Sequence, residues 1–138
     1  MSQENVKLVR RLFGLWNRTS AVGEEAPDLA GEFFDPHVEW HDQRELPGAT
    51  VHHGIEEVLR HLAAAQEALD YARTDLLELL DADPRVLAAY RFHARGRSSG
   101  APVERDAFCV YSFRGARIAC VEIFGTRSEA LEAAGLRG

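Results

Sequence analysis

Apolar residues recur at three- and four-residue spacing near the start of the chain. Val6, Val9, Leu12, Phe13 and Trp16 fall on one side of a helix, and Ser2 is placed to cap it. Gly23 to Pro27 reads as a loop, after which Asp28 can cap a short second helix carrying Leu29, Phe33 and Phe34. Asp35-Pro36 ends that helix, because a residue before proline is pushed out of the helical region. At His37 the period changes to two. Val38 and Trp40 then point one way and His37, Glu39 and His41 the other, as in a strand running to Asp42. Pro47-Gly48 and His52-His53-Gly54 mark the connection to a third helix over 55–69. Its buried stripe is Ile55, Val58, Leu59, Leu62, Ala65 and Leu69.

Everything after Tyr71 reads as strands, over 74–80, 86–97, 104–113 and 117–124. Asp81 to Pro84, Ser98 to Pro102 and Gly115-Ala116 supply the turns, the last suiting a type II′ hairpin. Thr126-Arg127-Ser128-Glu129 resembles a capping box, opening a short helix that Gly135 closes. This order predicts one domain over 1–138 of the α+β class, with an antiparallel sheet and helices on one side.

Face assignments follow from the two-residue period. Val86, Ala88, Tyr90, Phe92 and Ala94 form an apolar row expected to face the helices, opposite Arg91, His93 and Arg95. Across the Gly115-Ala116 hairpin, uninterrupted pairing places Cys109 and Tyr111 on one face with Ile118, Cys120, Glu122 and Phe124. The other face carries Phe108, Val110, Val121 and Ile123 and is equally apolar. A sheet solvated on one side alternates cleanly, and this hairpin does not. The helices can cover only one face. A second copy of the chain is therefore expected on the other, since two-fold dimers are the commonest assemblies.

Composition narrows the partners. A formal net charge of -6 argues against a phosphate-backbone partner, so no nucleic acid is expected. The polar start lacks the form of a signal peptide, and no apolar run is long enough to span a bilayer. Two cysteines, Cys109 and Cys120, make no disulfide framework. A cytoplasmic protein with reduced thiols and no membrane partner is expected.

Several segments in order resemble the SnoaL-like proteins of the nuclear transport factor 2-like superfamily. They are Leu12 to Asn17, Phe34 to Trp40, His53 to Val58, Gly100 to Glu104 and Glu129 to Leu136. The resemblance implies a cone-shaped (cystatin-like) fold: a curved, mostly antiparallel sheet whose concave face, covered by helices, encloses a pocket. It also implies frequent dimers, here through the convex face. The wider family includes polyketide cyclases, ketosteroid isomerase and limonene epoxide hydrolase, and members without known activity, so the fold alone does not imply a reaction. Asp42 falls where ketosteroid isomerase keeps its general base, but that enzyme's two oxyanion donors fall on Leu12 and Cys109. Glu122 matches one acid of limonene epoxide hydrolase, whereas Tyr90 and Phe92 stand in place of its arginine and other aspartate.

Candidate chemistry rests on the acids. Glu122, between Cys120 and Phe124 on the face assigned to the pocket, would have its pKa raised by desolvation and suit proton transfer. Asp42 shares its strand face with Trp40, and a second carboxylate in one apolar cavity would allow one acid and one base. The competing readings are a paired structural glutamate and a turn-capping aspartate. His41 or His53 at the pocket mouth could also act as acid or base. His37, Glu39, His41, His52 and His53 do not converge on extended backbone, so no metal site is expected. Leu12, Trp16, Trp40, His53, Tyr90, Phe92, Cys109, Tyr111, Cys120 and Phe124 are the expected ligand-contacting walls around a small apolar molecule. The expected function is a small-molecule pocket, with cofactor-independent cyclase, isomerase or hydrolase chemistry, or binding alone, or a dimerisation unit with a collapsed pocket.

Overall fold

A computed structural model describes residues 2–18 and 31–136. The expected capping by Asp28 and the packing of Leu29 lie outside the described residues. The order is α1 (Ser2–Arg18), β1 (Phe34–His41), β2 (Val51–His53), α2 (Ile55–Glu67), β3 (Leu69–Ala82), β4 (Arg85–Gly96), β5 (Pro102–Arg114), β6 (Arg117–Phe124) and α3 (Arg127–Ala133). The six strands form one curved sheet in the order β2-β1-β6-β5-β4-β3. All neighbours are antiparallel except β1 and β6. The α+β class with a curved, mostly antiparallel sheet is thus the observed architecture.

The sheet extends further than the sequence pattern predicts. β3 begins at Leu69 rather than Thr74, because its ladder with β4 continues to the Leu69–Gly96 pair. The third helix therefore stops at Glu67. β2 was not expected as a strand. Its three residues pair with the end of β1, setting His52 opposite Trp40 and His53 opposite Glu39.

Helices α1 and α2 pack on the concave face. Val9, Val38, Val58, Val86, Ile118 and Val121 are fully buried there, each contributing about 1.5–3 kcal/mol relative to exposure. The β5–β6 hairpin turns at Gly115, which has φ 61°, and among the described residues no non-glycine residue has positive φ. Only the first turn residue is therefore left-handed, as a type II′ turn requires. Beyond the turn, Phe113 pairs with Ile118 but Ser112 pairs with Cys120, leaving Ala119 as a bulge.

One end of the convex face is covered by the last helix. α3 is opened by Thr126, whose Oγ1 accepts from the Glu129 N–H and donates to the Glu129 carboxylate at 2.8 Å. Its Ala130 and Leu131 pack with Leu87, Val110, Phe108 and Phe124. The apolar end of this face is thus covered by the chain itself. The remainder is ionic: Arg91 holds Asp106 at 2.7 Å, and His93 lies between Asp75 and Glu104 at 3.0 and 3.1 Å.

Candidate functional site

A cavity of about 400 Å³ opens between the concave face and the helices. Leu12 and Phe13 line it from α1, and His61, Leu62 and Ala65 from α2. Trp40 contributes from β1, Tyr90 and Phe92 from β4, and Ala107, Cys109 and Tyr111 from β5. Ile123 completes the wall from β6, and the loop after β1 adds Asp42, Gln43, Leu46 and Ala49.

The wall is mostly apolar, with Thr74, Tyr90, Arg105 and Tyr111 adding polar groups from β3, β4 and β5, and its densest polar cluster lies at one end. There the two oxygens of Asp42 meet two imidazoles: Oδ2 lies 3.1 Å from His52 Nε2 and Oδ1 lies 3.0 Å from His61 Nε2. The two rings stack at 3.8 Å with 20° between their planes, and His61 meets Trp40 edge-on. The side chains are 15% (Asp42), 14% (His52) and 28% (His61) exposed.

Local structure explains the convergence. Asp42 is the first residue past β1, two places after Trp40, so it stays on the concave side. Its N–H donates to Thr50 O at 3.1 Å, and Thr50 N–H donates to Asp42 Oδ2 at 3.3 Å. His52 arrives from β2 on the face of its partner Trp40. His61 lies one helical turn after Val58 and before Ala65. Because carboxylate oxygens only accept, each Nε2 is the donor in these contacts.

Burial governs the other polar groups of the wall. It raises the Tyr90 phenol well above its ordinary range, with a smaller contribution from the Cys109 thiol. The Tyr111 phenol rises for the same reasons, and burial pushes the Cys109 thiol up to about 12. These groups keep their protons near neutrality and can donate hydrogen bonds. Gln43 Oε1 is buried without a hydrogen-bond partner among the described residues, an acceptor available to a donor on a bound molecule.

The expected site residues divide by sheet face. Leu12, Trp40, Tyr90, Phe92, Cys109, Tyr111 and Asp42 line the cavity. The Trp16 side chain lies outside the described part. Glu122, Cys120 and Phe124 do not line the cavity. Uninterrupted pairing from the turn would set Cys109 opposite Glu122, but the bulge at Ala119 shifts the register by one residue. Cys109 therefore faces Ile123, and Glu122 pairs with Val110 on the convex side. His41 is opposite Glu122 and shares that convex side. There its Nε2 lies 3.1 Å from Glu39 Oε1. His53 points the same way, 65% exposed and 3.7 Å from Glu39.

Among the described residues, two groups of three metal-ligating side chains form despite the expectation of none. In each of Asp42–His52–His61 and Glu39–His41–Cys120, the donor atoms lie within 4.8 Å of one another. The first has only nitrogen and oxygen donors. The second adds sulfur.

The sequence matches the SnoaL-like domain family over residues 9–121. No curated protein matches it. Among solved structures it is similar to Bal32a from a soil-derived mobile gene cassette, at 20% identity over 96% of both chains with a TM-score of 0.75. A protein from Jannaschia sp. CCS1, named for the SnoaL-like polyketide cyclases, is 16% identical over 96% of this chain and 91% of its own, with a TM-score of 0.75. TerC, co-crystallised with polyporic acid, is 14% identical over 96% and 98%, with a TM-score of 0.71. At these identities the likeness is one of fold.

Proposed function

The chain belongs to the SnoaL-like domain family, and on that premise we propose that its cavity encloses a small apolar molecule bearing oxygen and exchanges a proton with it. The observation that carries this reading is the Asp42 carboxylate on the wall of an apolar cavity with an imidazole on each oxygen. His61, a wall residue oriented by Asp42, is the general base, taking a proton at Nδ1 from a carbon beside a carbonyl. Asp42 stabilises the imidazolium that results, and His52 holds the other carboxylate oxygen in place. The Tyr90 phenol, kept protonated by burial, donates to the oxygen that gains charge. No step calls for a cofactor. The chemistry suits an isomerase or cyclase; a hydrolase has less support, because Glu122, the expected second acid, lies on the other face.

A second reading, binding without turnover, is favoured by Leu12 and Cys109 on the wall where the related isomerase has its oxyanion donors. The two separate on one experiment. 2-Tetralone, a fused-ring ketone with an acidic carbon, is incubated with the protein in D2O, and deuterium uptake is followed by NMR. The wild type is expected to accelerate uptake, and Asp42→Asn and His61→Gln to reduce it by about 100-fold or more. Saturable binding without uptake leaves only the binding reading. No binding removes both.

A further inference from the structure

On the convex face the geometry points to a second site, independent of the cavity: a soft divalent-cation site suited to Zn²⁺, formed by Glu39, His41 and Cys120. The register places the donors. In the parallel β1–β6 pair Glu39 lies directly opposite Cys120, and in the β1–β2 pair it lies opposite His53. His41, two residues along the same face, lies opposite Glu122. Two neighbouring strands, β1 and β6, thus set thiol, imidazole and carboxylate groups into one patch.

Distances fit a small cation. His41 Nε2 is 3.1 Å from Glu39 Oε1, and the donor atoms of Glu39, His41 and Cys120 all lie within 4.8 Å of one another. A tetrahedral zinc with ordinary bond lengths separates such ligands by roughly 3.3–3.6 Å, so side-chain adjustments of about 1 Å close the site. His53 Nδ1 lies 3.7 Å from Glu39 Oε2 but outside the converging set, so a solvent molecule would take the fourth position. One sulfur, imidazole and carboxylate form a donor set that selects zinc over magnesium or calcium.

The electrostatics agree. The Glu122 and Glu39 carboxylates lie close enough to Cys120 to act on it electrostatically. Those carboxylates attract a cation, and a bound cation would displace the thiol proton. The metal would tie β1 to its parallel neighbour β6.

Titration of the full chain with Co²⁺ tests the site, after purification with chelator and reductant. The expected result is one cobalt per chain with a near-ultraviolet thiolate-to-cobalt charge-transfer band that Zn²⁺ abolishes. Cys120→Ser should remove the band and weaken zinc binding at least about tenfold, with His41→Gln weakening it in the same way. Both variants should keep the wild-type far-ultraviolet circular dichroism. Asp42→Asn should leave the band unchanged. No cobalt binding, cobalt binding without the band, or a band that survives Cys120→Ser would overturn the proposal. Loss of the band in Asp42→Asn would overturn it too, by placing the metal in the cavity.

Discussion

Replacing Asp42 by asparagine tests whether one carboxylate organises both imidazoles. Asp42 accepts three hydrogen bonds, from His61 at 3.0 Å, His52 at 3.1 Å and the Thr50 N–H at 3.3 Å. An amide has one acceptor oxygen and a donor NH₂ in place of the second. If the oxygen stays with His61, the NH₂ faces His52 Nε2 and the Thr50 N–H. His52 must then change tautomer, and the Thr50 donor loses its acceptor. A hydrogen bond to a charged acceptor contributes about 1.5–3 kcal/mol against about 0.5–1.5 for a neutral one, so the exchange costs about 1–3 kcal/mol. For a domain of this size that corresponds to a Tm lower by about 4–10 °C. Thermal melts by circular dichroism measure the loss. Long-range ¹H–¹⁵N spectra of the imidazole nitrogens are expected to show the tautomer change at His52. A Tm within about 1 °C of wild type, with both imidazoles unchanged, would refute the arrangement.

Further outcomes follow from the sheet faces. Glu122→Gln should leave deuterium uptake by 2-tetralone within about twofold of wild type; a loss like that of Asp42→Asn would return this acid to the site. Leu131→Ala should cost about 2–5 kcal/mol in urea denaturation, because Leu131 covers Leu87 and Val110; a cost below about 0.5 kcal/mol would contradict that packing. In metal-free protein, iodoacetamide should modify Cys120 before the buried Cys109, with a rate that keeps rising with pH toward about 11; a plateau near pH 9 would contradict the raised pKa. The sign follows from the proton: folding favours the protonated Cys120 thiol, so its stabilising contribution is full below 9.0 and falls away as pH rises through about 11.

Periodicity revealed most of the scaffold because burial acts residue by residue. The α1 stripe, the Val86-to-Ala94 row and the Val38–Trp40 face each follow from one element alone, and each packs inward. Asp42 was legible because it continues the parity of Trp40. Glu122 was not, because its orientation depends on a single unpaired alanine between it and the turn. A bulge leaves no mark in the apolar pattern, as both faces of β6 are apolar. His61 was missed for another reason. It flanks the Val58–Leu62–Ala65 stripe, and a polar residue at that edge reads as solvated until β2 sets His52 against it. His52 was itself obscured, because a strand of three residues is too short to show a period. The covering of the convex face by α3 depends on docking across the sheet, which local pattern does not encode.

Filtered nuclear Overhauser contacts from bound 2-tetralone test the central claim most directly, since they locate the ligand against assigned methyl groups. Contacts to Leu12, Leu62, Ala107 and Ile123 are expected, with His61 signals perturbed on binding. Contacts confined to Leu80, Leu87 and Val110, or none at all, would contradict a ligand enclosed beside Asp42 and His61.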